Sequence, residues 1–121
     1  GTVVNTKQLA ELVDAEVDFI VLPGLQKELV SALQDIDIPF LPGVVTPSEM
    51  MEALRLGWDT LKFFPANIAG GLSALKTYSQ VFPQLKFCPT GGITKDNYPE
   101  YLELENVISV GGSWIQNSFK N

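Results

Sequence analysis

The sequence has no histidine, one cysteine and few basic residues, and each shortage excludes a class of function for this chain alone. Without histidine, the chain can form neither a serine–histidine catalytic pair nor a histidine metal site. The single cysteine, Cys88, has no partner for an internal disulfide, which agrees with a reducing compartment. The chemistry left to the chain is that of lysine, carboxylates, hydroxyls and backbone amides.

Charge and hydropathy narrow the range of partners. The 121 residues carry 8 basic and 14 acidic side chains, and no basic cluster could replace counterions along a phosphate backbone. We therefore expect no nucleic-acid partner. The longest apolar runs are too short to span a bilayer, and no basic segment leads into an apolar one. We expect a cytoplasmic protein with no membrane partner.

Short apolar strands alternate with amphipathic segments, and the strand centres lie 17 to 25 residues apart. Parallel strands need crossovers of this length, and strands buried on both faces appear as continuous apolar runs. The sequence therefore predicts one α/β domain, residues 1–121. It fits an open doubly wound sheet, a truncated eight-stranded barrel or part of a longer polypeptide. The predicted strands are 2–4, 19–22, 40–42, 60–64, 85–89 and 107–111.

The clearest helix start is the Thr-Pro-Ser-Glu string at 46–49. Thr46 can cap the helix, Pro47 fits its first position, and Glu49 can bond back to the cap amide. This capping box favours a structural role for Glu49 over a catalytic one. The Pro-Gly pair at 42–43, just before this string, is predicted to be a turn that closes a strand.

Lys62 is a lone amine within the apolar run Leu-Lys-Phe-Phe-Pro at 61–65. Because side chains alternate along a strand, Lys62 and Phe64 are predicted to share one face. If that face is buried, the lysine is favoured in its neutral form, which can attack a carbonyl to give a Schiff base. Alternatively, Lys62 extends from a strand end into water. Phe64 could cover a substrate or simply belong to the core.

Two glycine pairs follow the last two predicted strands: Gly91 with Gly92, and Gly111 with Gly112. Glycine lets a phosphate approach backbone amides closely, and barrels often hold a phosphate in the loops after their last two strands. Ser113 could add a hydroxyl donor to the same anion. Either pair taken alone also fits ordinary turn chemistry.

Taken together, these strings resemble the bacterial 2-keto-3-deoxy-6-phosphogluconate (KDPG) / 4-hydroxy-2-oxoglutarate (KHG) aldolases. The resemblance covers nearly the whole chain, with the motifs in the same order. The motifs are GTVVN at 1–5, PGL at 23–25, PGVVTPSE at 42–49, LKFFPAN at 61–67, CPTGGI at 88–93 and GGSW at 111–114.

The resemblance implies a class I aldolase built as a TIM (β/α)₈ barrel, of which this chain covers about strands 3 to 8. It implies a homotrimer that needs no cofactor and no metal. The reaction would cleave KDPG to pyruvate and glyceraldehyde 3-phosphate, and KHG to pyruvate and glyoxylate. The double-glycine loops favour the phosphorylated substrate.

The resemblance also assigns roles to individual residues. Lys62 falls on the Schiff-base lysine, Thr2 and Thr90 lie where pyruvate is contacted, and Phe64 flanks it. The phosphate would be held by Gly91, Gly92, Gly112 and Ser113.

The family's general acid/base glutamate and its carboxylate-binding arginine belong to the first two strands, which the resemblance places before residue 1. Two alternatives to the enzyme therefore stay open for the chain alone. It could be a non-catalytic phosphosugar-binding barrel fragment that lacks the general base, or a purely structural fragment.

Overall fold

The computed structural model describes residues 3–112, in which helices and strands alternate. The helices are α1 Thr6–Asp14, α2 Lys27–Leu33, α3 Pro47–Arg55, α4 Gly71–Val81 and α5 Tyr98–Leu102. The strands are β1 Ile20–Val21, β2 Phe40–Leu41, β3 Gly43–Val44, β4 Thr60–Phe63 and β5 Lys86–Pro89. Within this described range, no helix has the length and apolar character needed to cross a membrane.

All strand pairings among these elements are parallel and follow the order of the chain. β1 pairs with β2, and β3, β4 and β5 form a three-stranded sheet. The two sheets meet at Pro42, whose carbonyl accepts a hydrogen bond from the Lys62 amide at 2.8 Å. A doubly wound sheet reverses its strand order at one point. The described strands show no such reversal, so they do not form the open doubly wound sheet that the sequence left possible.

The two outermost predicted strands are present only as isolated contacts. Near the amino-terminal end, the Val3 amide donates to the Val21 carbonyl at 2.9 Å, without a regular strand. The prediction of regular strands at 2–4 and 107–111 is therefore wrong for their described residues, because a strand needs consecutive ladder bonds. At the other end two parallel bridges occur, Phe87 with Val107 and Thr90 with Gly111.

The Pro-Gly pair at 42–43 is not the predicted turn. Gly43 begins β3 and pairs with Lys62 in the parallel ladder. A Cβ atom at Gly43 would lie 2.4 Å from the carbonyl carbon and oxygen of Pro23. Glycine is thus required here because the neighbouring backbone approaches too closely for any side chain, and not because the chain reverses direction.

The predicted capping box at the start of α3 is confirmed. The Thr46 hydroxyl accepts a hydrogen bond from the Glu49 amide at 3.2 Å, and Glu49 Oε1 accepts from the amides of Thr46 and Val45, both at 3.0 Å. These bonds satisfy amides that a helix start otherwise leaves free. The carboxylate of Glu49 is therefore committed to the fold, as the sequence indicated.

Two apolar clusters form the core of the described residues. One lies between α1, α2 and β1, and the other surrounds β4 and β5 beneath α3 and α4. Trp58 is partly buried and packs against both clusters, with its ring edge-on to Phe40 at a centroid distance of 5.0 Å. The two clusters hold the carboxyl ends of the parallel strands at one edge, where predicted site residues lie.

Candidate active site

Strand β4 has two faces of opposite character. Leu61 and Phe63 are fully buried in the helix-side core, and the Phe63 ring meets Phe87 and Tyr78 edge-on at centroid distances of 5.9 and 6.1 Å. Because neighbouring side chains on a strand face opposite ways, Lys62 projects from the other face. The tight packing of the first face fixes the strand that presents the lysine.

Lys62 is buried on this face of β4. Its residue is only 8% exposed, and its Nζ atom lies over the ring of Phe64, 4.6 Å from the ring centroid. Burial lowers the pKa of the Lys62 amine, an effect that the nearby Cys88 thiol partly opposes by favouring the charged form. The side chain therefore does not extend into bulk water, which was the alternative that the sequence left open.

Cys88 is the parallel cross-strand partner of Lys62, on the adjacent strand β5. Residues paired in this register present their side chains on the same face. Cys88 is half-buried, and its thiol is free. This neighbour could not be predicted from the sequence, because it depends on the register between two strands.

The loops after β4 and β5 are tied to each other by backbone hydrogen bonds. The Ala66 amide donates to the Thr90 carbonyl at 2.7 Å, and the Asn67 amide donates to the Gly91 carbonyl at 3.1 Å. The Thr90 amide in turn donates to the Phe63 carbonyl at 2.9 Å. The segment that follows the lysine strand thus supports the glycine loop directly.

In the glycine loop, residues 90–93, the carbonyls of the first three residues accept hydrogen bonds, whereas the amides of the last three do not donate any to the described residues. The Gly92 carbonyl accepts from Nδ2 of Asn97 at 3.1 Å, so the carbonyls of Thr90, Gly91 and Gly92 all have donors. The amides of Gly91, Gly92 and Ile93 have no hydrogen-bond partner within residues 3–112. A run of backbone amides without internal acceptors can donate hydrogen bonds to an anion.

Both glycines of this loop have backbone conformations that favour glycine. Gly91 has φ +104° and Gly92 has φ +70°. A Cβ atom at Gly92 would lie 2.3 Å from Cγ of Asn67, so the loop after β4 leaves no room for a side chain there. Glycine is therefore favoured at both positions by backbone conformation, and at Gly92 also by lack of space.

The second glycine pair lies beside the first. Gly111 bridges to Thr90, and a Cβ atom at Gly111 would lie 2.7 Å from the Thr90 hydroxyl oxygen. Gly112 follows directly and is half-buried. Thr2 and Ser113, the two other predicted site residues, lie outside the described residues.

Six of the predicted site residues therefore lie at the carboxyl ends of adjacent parallel strands or bridges. These residues are Lys62, Phe64, Thr90, Gly91, Gly92 and Gly112. Within residues 3–112, no group of three acidic or cysteine side chains is arranged to hold a metal ion.

A groove with a volume of about 560 Å³ lies elsewhere, between α2 and α3. It is lined by residues such as Val30, Gln34 and Glu52 on the outer helical layer. In parallel α/β folds, ligands bind at the carboxyl ends of the strands. The strand-end site with Lys62 is therefore the better candidate, because it combines a buried amine with the available amides.

Asn97 is a residue of this site that the sequence interpretation missed. Its side chain reaches back from the start of α5 to the glycine loop. The signal that could have found it is the Thr-x-x-Asn spacing of Thr94 and Asn97, which is typical of side-chain turns. This spacing does not reveal which carbonyl the asparagine amide reaches.

Comparison with known proteins yields one consistent family. The sequence profile of the family described as KDPG and KHG aldolase matches residues 1–120. The KHG/KDPG aldolase of Escherichia coli (strain K12) is 45% identical over 115 residues, which are 95% of this chain and 54% of that protein. The chain therefore spans about half the length of the curated relatives that it matches.

Solved structures agree in both sequence and shape. A crystal structure of KDPG aldolase from Legionella pneumophila, with pyruvate captured as a covalent carbinolamine intermediate, is 52% identical with a TM-score of 0.90, over 93% of this chain and 55% of that one. The aldolase of Zymomonas mobilis ZM4, determined with 3-phosphoglycerate, is 46% identical with a TM-score of 0.90. That match covers 95% of this chain and 55% of the other.

Proposed function

Because the chain belongs to the KDPG and KHG aldolase family, we propose that it carries the Schiff-base site of a class I aldolase, a lyase that cleaves KDPG to pyruvate and glyceraldehyde 3-phosphate. The observation that carries this proposal is the burial of Lys62 at the carboxyl end of β4, with a lowered pKa. A neutral amine is the nucleophile that a Schiff-base mechanism needs. The carbinolamine captured in the Legionella pneumophila structure supports the same chemistry.

The proposed reaction begins when the neutral Nζ of Lys62 attacks the C2 ketone of the substrate. Loss of water from the carbinolamine gives a protonated imine, which withdraws electrons from the C3–C4 bond. As the C4 hydroxyl gives its proton to a general base, which the resemblance places before residue 1, this bond breaks, glyceraldehyde 3-phosphate leaves, and the electron pair remains on the pyruvyl part as an enamine. Protonation at C3 and hydrolysis by water then release pyruvate and regenerate the amine.

Two side chains near the lysine are proposed to position the pyruvyl part. The ring of Phe64 lies against Nζ of Lys62, where it can flank the bound keto acid and stabilise the cationic imine. Thr90 lies at the end of the adjacent strand β5, beside the Lys62 face. Thr2 is assigned the same role on the family resemblance alone.

The phosphate group is proposed to bind at the two glycine pairs. The amides of Gly91 and Gly92 have no acceptor within the described residues, and Gly112 follows the bridge to Thr90. Ser113 is proposed to add a hydroxyl donor. The 3-phosphoglycerate in the Zymomonas mobilis structure shows that a relative accommodates a phosphorylated three-carbon acid.

KHG, which would give pyruvate and glyoxylate, is proposed as a second substrate. It lacks a phosphate, so it would use the lysine part of the site without the glycine loops. The name of the Escherichia coli relative includes both keto acids.

The single-domain chain is proposed to form about strands 3 to 8 of a TIM (β/α)₈ barrel, in a cytoplasmic homotrimer. The parallel pairing in chain order supports the barrel, because each crossover returns to the next strand around it. The trimer rests on the family resemblance, and analytical ultracentrifugation of the full-length protein would test it.

Borohydride trapping tests the proposed function. The protein is incubated with pyruvate and reduced, and the modified peptide is identified by mass spectrometry. We expect a stable adduct on Lys62, no adduct in Lys62→Ala, and full adduct in Lys76→Ala, which removes an exposed amine from α4. If phosphate binds at the glycine loop but pyruvate gives no adduct, the result would instead favour the non-catalytic phosphosugar-binding alternative.

A further inference from the structure

Asn97 directs its side chain backward, away from the helix that it begins. It occupies the N-cap position of α5, yet its side chain forms no capping hydrogen bond to that helix. Instead, Oδ1 accepts from the Thr94 amide at 2.7 Å, and Nδ2 donates to the Gly92 carbonyl at 3.1 Å. Asparagine at an N-cap ordinarily accepts from the amides of the first helical turn. The helix therefore does not explain how this side chain is placed.

The peptide that Asn97 anchors belongs to the glycine loop. The Gly92 carbonyl and the Ile93 amide are parts of one planar peptide, so holding the carbonyl also fixes the direction of the amide. This amide has no hydrogen-bond partner among the described residues. The carbonyls of Thr90 and Gly91 are held by backbone amides, whereas the Gly92 carbonyl is held by a side chain.

We propose that Asn97 is a positioning residue for phosphate binding, which acts by orienting the Gly92–Ile93 peptide. Gly92 has φ +70°, and glycine has more conformational freedom than any other residue. Without its anchor, this peptide could rotate and present a carbonyl oxygen to the anion in place of an amide. The inference rests on the proposed function, because it assumes that this loop receives the phosphate of the substrate.

The test compares two substrates in the full-length protein with Asn97→Ala. We expect KM for the phosphorylated KDPG to rise about tenfold, the effect of one lost hydrogen bond. KM for the unphosphorylated KHG and the rate of pyruvate trapping on Lys62 should stay at the wild-type level. A residue needed only for folding would not separate the two substrates.

Thr94→Val is the matched control. It removes the 3.3 Å hydrogen bond from the backbone amide of Asn97 to the Thr94 hydroxyl. The hydrogen bond from the Asn97 side chain to the Gly92 carbonyl stays in place. We expect it to keep the wild-type KM for KDPG. If Asn97→Ala does not fold, Asn97→Asp replaces it, because the carboxylate still accepts from the Thr94 amide but cannot donate to Gly92. High salt screens the added charge in that variant.

The outcomes separate this inference from the proposed function. Two results would overturn the positioning role while the aldolase function stands, provided that the wild-type protein traps pyruvate. In one, the Asn97 variant keeps the wild-type KM for KDPG; in the other, its KM rises equally for KDPG and KHG. An equal loss in Thr94→Val would overturn it as well, by showing that the turn as a whole matters. If wild type traps no pyruvate, the proposed function itself fails.

Discussion

The Nζ atom of Lys62 lies 4.6 Å from the centroid of the Phe64 ring, in the direction where an aromatic face attracts a cation. Burial acts on the same amine in the opposite sense and favours its neutral form. The two effects suit a residue that must be neutral to attack a ketone and cationic once the imine has formed.

Phe64→Leu should slow pyruvate adduct formation on Lys62 by about threefold to tenfold, because it keeps an apolar side chain but removes the aromatic face, worth about 0.5–2 kcal/mol to a cation. The measurement is the rate of borohydride-trapped adduct. Phe64→Tyr keeps the aromatic face and should retain most of the rate. Equal rates in Phe64→Leu and wild type would show that the ring acts only as packing.

The rate of adduct formation should rise with pH and then level off. The midpoint of this rise should lie below the pKa of a free lysine, which is about 10.4. Burial lowers the pKa of Lys62, and only the neutral amine attacks the ketone, so the reactive fraction grows as pH rises through the lowered pKa. The check is the trapping rate against pH at fixed pyruvate. A midpoint at or above 10.4 would contradict the burial argument.

The same lowered pKa predicts a pH dependence of stability. Between the folded pKa of Lys62 and the unfolded value of about 10.4, the unfolded chain binds more protons, so the free energy of unfolding rises with pH across this window. Lys62→Met lacks this contribution. Urea titrations at several pH values should show the difference between wild type and Lys62→Met shifting in favour of wild type as pH increases. A constant difference would mean that the amine is as solvated in the folded as in the unfolded protein.

Gly92→Ala should weaken binding of the phosphorylated substrate, because its Cβ atom would collide with Asn67 at 2.3 Å and displace the loop. Gly57→Ala is the matched control: Gly57 also has positive φ, at +82°, but a Cβ atom there would meet nothing within 4 Å. Both variants carry the backbone strain of about 1 kcal/mol or more. Only Gly92→Ala is expected to raise KM for KDPG, by about tenfold or more. Equal KM values in the two variants would place the phosphate elsewhere.

Local sequence patterns predicted those features that depend on near neighbours in the chain. The alternation of β4 predicted that Lys62 and Phe64 share a face, and the spacing of Thr46 and Glu49 predicted the capping box. Both features follow from the geometry of a single strand or helix start, and this geometry is determined by the residues of that segment itself.

Features that depend on register or on close approach between strands were not predictable. Cys88 lies opposite Lys62 only because β4 and β5 pair in one register. The Pro-Gly pair at 42–43 is typical of turns, whereas the nearby backbone of Pro23 is what requires glycine at position 43. Asn97 was missed because its spacing to Thr94 does not identify the carbonyl of Gly92 as a partner.

Gly43→Ala should destabilise the fold by about 2 kcal/mol or more, because its methyl group would lie 2.4 Å from backbone atoms of Pro23, and backbone cannot rotate away as a side chain can. Gly24→Ala provides the control: a Cβ atom there meets nothing within 4 Å, so the change should lie within about 1 kcal/mol of wild type. Urea denaturation of both variants measures the difference. Displacement of the backbone at residue 43 would also shift Lys62, because the two residues are paired in the parallel ladder. Pyruvate trapping should therefore fall in Gly43→Ala and not in Gly24→Ala. Wild-type stability in Gly43→Ala would mean that Gly43 and the backbone of Pro23 do not approach as closely as the structure places them.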